Sequence, residues 1–79
     1  MARFRPGLMS RHAWQEAHHE KISIEMIRAA YDDPDEIRPS EHDEIREIRS
    51  RWFGDQSVEV VVDLGDGRGV TVWRKGEHR

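Results

Sequence analysis

Hydrophobic and polar positions along this chain follow two different periods. From Ser10 to Asp33 the apolar residues recur at helical spacing. Ser10 is a good N-cap, so a first helix is expected from there to about Glu20, with Ala13, Trp14 and Ala17 within about 100° of one another on its small apolar side. The pattern breaks at Ile22–Ser23. Ser23 then caps a second helix, with Glu25 in its first turn where the macrodipole favours a carboxylate. Ile24, Ile27 and Tyr31 stand at i, i+3 and i+7 with Ala30 beside them, so this helix should bury one face. Asp33-Pro34 ends it, because the residue before a proline avoids the α region. Residues 1–9, with Arg3, Arg5, Pro6 and Gly7, read as an irregular lead-in.

Beyond Ile45 the period changes to two. Ile45 to Phe53, Val58 to Leu64 and Val70 to Arg74 are rich in β-branched and aromatic residues, and Gly54-Asp55-Gln56 and Gly65 to Gly69 punctuate them. Turns this short join antiparallel neighbours, since a parallel pair needs a crossover of about a dozen residues. Val58, Val60 and Val62 share one face and Glu59, Val61 and Asp63 the other, while Val70 and Val72 oppose Thr71 and Trp73. A short strand near Glu36–Arg38 would add an edge. The helices have nowhere else to bury their apolar sides, so they should cover one sheet face. The expected fold is α+β: two N-terminal helices packed on an antiparallel sheet of three or four strands, in a single domain spanning residues 1–79.

Composition constrains this picture more than it extends it. In 79 residues, 35% hydrophobic and 37% charged, the core must be thin. No cysteine is present, which removes disulfides, thiolate metal sites and a thiol nucleophile. The N-terminus lacks the apolar run of a secretory signal, and no stretch approaches the roughly 18 apolar residues of a membrane span. A cytoplasmic protein with no membrane partner is therefore expected. A net charge of −3 argues against nucleic-acid binding by bulk positive charge, so any basic patch must be local.

Three groups of residues could carry chemistry. On the first helix His12, Glu16 and His19 fall within about 60°, and a carboxylate four residues from a histidine can orient the imidazole as a general acid or base. The same stripe is also what a solvated helix face looks like. As metal ligands these residues would need matching donors from another element, for which only His42 is at hand, so no metal and no cofactor is expected. In the second group Arg49, Arg51 and Phe53 alternate with Ile48, Ser50 and Trp52, and Arg74-Lys75 follow later. One side of that strand would be core, the other a positive, partly aromatic surface able to hold RNA phosphate and stack bases. Cross-strand pairing with Glu59 and Asp63 would use the same arginines structurally. Third, Trp14, Trp52 and Trp73 read as the bulk of the core. Gly65–Gly69 is no phosphate loop, because no helix N-terminus follows it.

The series His12-Ala13, Ile22-Ser23, Ile27, Asp33-Pro34, Val58–Asp63 and Val70-Thr71-Val72 resembles a prokaryotic domain family of unknown function whose members open His-Ala-x-x-Arg-x-x-x-Arg-Gly-Ile-Ser. That family is distantly similar to the BrnT and RelE-type ribonuclease toxins of toxin–antitoxin modules. The resemblance covers about residues 10–74, most of the chain. It implies a helix–helix–sheet domain that binds or cleaves RNA on a sheet face without metal. Here His12 would transfer a proton, Glu16 would orient it, and Arg49, Arg51 and Arg74 would hold phosphate. The partners implied are RNA and a cognate antitoxin. Another protein, or a second copy of the chain, could also add at a free sheet edge. The motif departs from its pattern where chemistry is densest. Glu16 and Glu20 stand in place of the two arginines and Lys21 in place of the glycine. A carboxylate repels the phosphate that an arginine would stabilise. The alternative, from a different class, is a non-catalytic interaction module that keeps the fold without the chemistry.

Overall fold

The computed structural model describes residues 3–41 and 45–76. A 3₁₀ turn at Pro6–Leu8 leads into α1 (Arg11–Glu20) and α2 (Ile24–Asp32). A four-stranded sheet follows, with β1 at Glu36–Pro39, β2 at Arg46–Phe53, β3 at Gln56–Asp63 and β4 at Gly69–Gly76. The strands lie in sequence order and every neighbouring pair is antiparallel. This is the expected α+β architecture.

Each helix boundary has a local cause. Ser10 Oγ accepts the Ala13 N–H at 3.0 Å and Ser23 Oγ the Met26 N–H at 3.2 Å, satisfying donors that a helix start leaves open. Past the end of α1, Lys21 adopts the left-handed conformation (φ 59°, ψ 42°), and the Ile22 N–H returns to the Ala17 carbonyl at 2.8 Å. That is a Schellman closure, and it turns the chain into α2 within three residues. Between β2 and β3, Gly54 (φ 68°) takes the positive-φ position of a two-residue hairpin, set by the Phe53–Gln56 pair.

α1 packs on β4, and α2 packs on β3 and β2. The apolar layer between them consists of small and medium side chains: Ala13, Ala17, Ile27 and Ala30 from the helices, and Val58, Val60, Val62 and Val72 from the sheet. Ile27 has no exposed surface, and burying it stabilises the fold by about 2–3 kcal/mol. The residues before Ser10 belong to this core rather than standing apart from it. Phe4 and Met9 are buried, with the Phe4 ring edge-on to Tyr31 at 5.5 Å. Met9 bridges Gly69, and the Ser10 N–H and hydroxyl bond the Gly69 and Val70 carbonyls at 2.8 and 3.0 Å. The tryptophans do not form the core as expected. Trp14 packs at its margin, Trp73 is partly exposed, and Trp52 is 48% exposed.

Candidate functional site

Arg49 and Arg51 of β2 and Arg74 of β4 face the helices. Arg49 and Arg51 pair across the ladder with the buried Val60 and Val58, so they lie on the covered side of the sheet. This reverses the orientation read from the alternation, which put these arginines on an open surface and Trp52 in the core. Each guanidinium reaches carbonyls at the end of a helix. Arg49 donates to the Tyr31 carbonyl at 2.8 Å and to Glu47 at 2.6 Å, with its Cζ 4.7 Å from the Tyr31 ring centroid. Arg51 donates to the Asp33 carbonyl at 2.7 Å and to the Asp33 carboxylate at 2.8 Å. Arg74 donates to the Lys21 carbonyl at 2.7 Å. The last carbonyls of a helix have no partner within it and carry the negative end of the dipole. Three cations thus close the C-termini of α1 and α2, and none of them pairs with Glu59 or Asp63.

His12 sits exposed in the first turn of α1, with Glu16 half-buried and His19 exposed along the same helix. Arg74 meets α1 at its opposite end, about 13 Å along the axis from His12 at 1.5 Å per residue. Arg49 and Arg51 are anchored on α2. The structure therefore brings the three arginines to the helix ends and leaves His12 outside that group. Among the described residues no three His, Asp, Glu or Cys side chains are placed to hold a metal ion. His42 lies outside the described residues.

On the uncovered sheet face, cross-strand rows place Trp52 beside Ser57 and Lys75, and Glu59 between Ser50 and Trp73. Glu59 is buried there, its carboxylate bonded by Arg38 at 2.8 Å and by the Ser57 hydroxyl at 3.3 Å. With Glu36 beside Arg38, positive and negative side chains interleave across this face.

A cleft of about 600 Å³ opens on the other side, where the end of α2 meets the β3–β4 turn. Tyr31, Pro34, Ile37, Val62 and Leu64 give it an apolar lining, and Asp32, Asp63 and Asp66 stand around them. Among the described residues two large exposed hydrophobic side chains, Ile37 and Leu64, line it. Ile37 and Leu64 are 56% and 52% exposed, and the Leu64 N–H bonds the carbonyl of the exposed Ile45 at 2.7 Å. The Tyr31 hydroxyl donates to the Gly67 carbonyl at 2.5 Å and ties the turn to α2. Burial pushes the Tyr31 pKa above its ordinary 10.0; Arg49 opposes this and Asp32 and Asp66 reinforce it. No local spacing marks this site, since its walls come from three separate stretches of chain. Its one sequence signal is the isolated Leu64 before Gly65, an apolar residue at a turn.

Among the described residues no helix is long and apolar enough to cross a membrane. No family model, characterised protein or solved structure matches the chain, so function rests on the geometry.

Proposed function

We propose that this domain is a non-catalytic protein-interaction module, a helix–helix–sheet fold that works by presenting a surface. One observation carries the reading. The three arginines that phosphate chemistry would need are all engaged at helix C-termini, while the exposed aliphatic residues converge on one cleft. An arginine bonded to a helix-end carbonyl gives up or shares that bond when it takes a phosphate, at a cost of about 1 kcal/mol. Glu16, one turn along the helix from His12, adds negative charge against any phosphate placed there.

A second reading, RNA binding by stacking, draws on the open sheet face. Trp52 and Trp73 share it with Arg38 and Lys75, and indoles on a sheet can stack bases. It ranks lower because Glu36 and Glu59 occupy the same face.

Induction of the protein in bacteria separates these readings from the toxin-like ribonuclease. The expected result is normal growth, intact RNA and no RNA binding at low salt. RNA cleavage that His12→Ala abolishes would replace the module with an enzyme. Low-salt RNA binding lost in Trp52→Ala would move the function to the open face.

A further inference from the structure

Resting on the module reading, the polarity of the cleft narrows what can occupy it: we propose that it receives a basic amphipathic helix of a partner protein. The floor selects apolar side chains, since Tyr31, Pro34, Val62 and Leu64 line it. Its rim selects cations. Asp32, Asp63 and Asp66 accept hydrogen bonds from the backbone N–H groups of Phe4, Gly65 and Arg68, at 2.8, 2.8 and 2.9 Å. Backbone donors leave the carboxylate charge in place. Of the nearby cations, Arg49 is held by Glu47 and the Tyr31 carbonyl. Arg68 pairs with Asp66 across 3.8 Å with half its side chain in solvent, where water screens the pair, and Arg5 acts on Tyr31 from the lead-in, so the charged side chains lining the cleft are three aspartates and one arginine. The rim therefore remains acidic, which repels nucleic acid and attracts lysine or arginine.

Two further observations set the occupant's size and shape. Ile37 and Leu64 each keep more than half their surface in solvent, so a small molecule inside the cleft would leave the flanking aliphatic surface wet. A partner strand is disfavoured by the edge beside the cleft. The Ser40 N–H bonds the Arg46 carbonyl, which by antiparallel alternation turns Ile37 and Pro39 outward, and Pro39 has no N–H to offer. Strand addition would thus find one usable donor along β1. A helix needs none, because it docks through side chains at i, i+3, i+4 and i+7.

The test is a titration of the full chain, followed by backbone amide shifts, with a synthetic helix of leucine and lysine roughly four turns long. A control helix replaces every lysine with glutamate. The lysine helix should shift Tyr31, Ile37 and the amides from Val62 to Gly67, and salt should weaken it. Leu64→Asp should reduce affinity roughly tenfold, and Asp32→Asn with Asp66→Asn should lower it several-fold. Both sites are exposed, and Ile37→Ser gives a second apolar variant if Leu64→Asp disturbs the turn. Equal binding of the glutamate helix would overturn the proposal. So would shifts centred on Trp52 and Trp73, or none at about 1 mM peptide. These outcomes leave the module reading standing, because that reading falls only on the growth and RNA results.

Discussion

Lys21 holds a left-handed backbone conformation (φ 59°) that costs a side-chain-bearing residue about 1–2 kcal/mol and glycine nothing. Glycine's greater freedom in the unfolded chain returns part of that difference. Lys21→Gly should therefore stabilise the fold by about 0.5 kcal/mol, read as a higher urea midpoint, while Lys21→Ala should not. Tyr31 offers a second prediction through pH. Its folded pKa lies above the ordinary 10.0, so between the two values the folded chain keeps a proton that the unfolded chain has lost. Its contribution is complete below pH 10.0 and fades as pH rises through the raised value. Urea midpoints from pH 8 to 11 should fall more steeply at the alkaline end in wild type than in Tyr31→Phe. Equal slopes would exclude Tyr31 as the cause.

At the scale of elements, the sheet holds the helices by their ends as well as by their faces. Replacing Arg74 with methionine removes one charge-assisted bond to the end of α1 and should cost about 1 kcal/mol. Arg49→Met also loses the contact with the Tyr31 ring and leaves Glu47 without that cation, so it should cost about 2 kcal/mol. Neither change should alter RNA affinity at low salt, which filter binding can check beside the denaturation. On the opposite face, Arg38→Met leaves the carboxylate of Glu59 buried without its cation, at a cost of about 3 kcal/mol. Adding Glu59→Leu should recover part of it, a coupling that a double-mutant cycle measures. The elements themselves were legible in the sequence, because serine caps, Pro34 and the β-branched runs act locally. Which side of β2 lies under the helices was not, because a period of two looks the same from either face. The decision lies in the register of β2 against Val58 and Val60, and arginine stems are long enough to run along a buried margin with their heads at carbonyls.

For the whole molecule, the cleft was the least legible part. Tyr31, Ile37, Arg49 and Leu64 become neighbours only when α2, β1, β2 and the β3–β4 turn are assembled, and none has a spacing that suggests the others. The burial of the lead-in was hidden for a related reason. Phe4 and Met9 are too few to show a period, yet a thin core recruits both. Their burial has a consequence in time. α1 packs on β4, and Ser10 is bonded to Gly69 and Val70, so the first helix rests on the last strand. As a ribosome makes the chain, the β2–β3 hairpin can close soon after it emerges, whereas α1 must wait for β4 to be synthesised. The folding nucleus should therefore sit in the strands. Val60→Ala should slow folding with φ above about 0.5, while Ala17→Gly should act mainly on unfolding with φ near about 0.2. Stopped-flow chevrons of the two variants would show the order directly, and equal values would mean that the helices and strands come together at once.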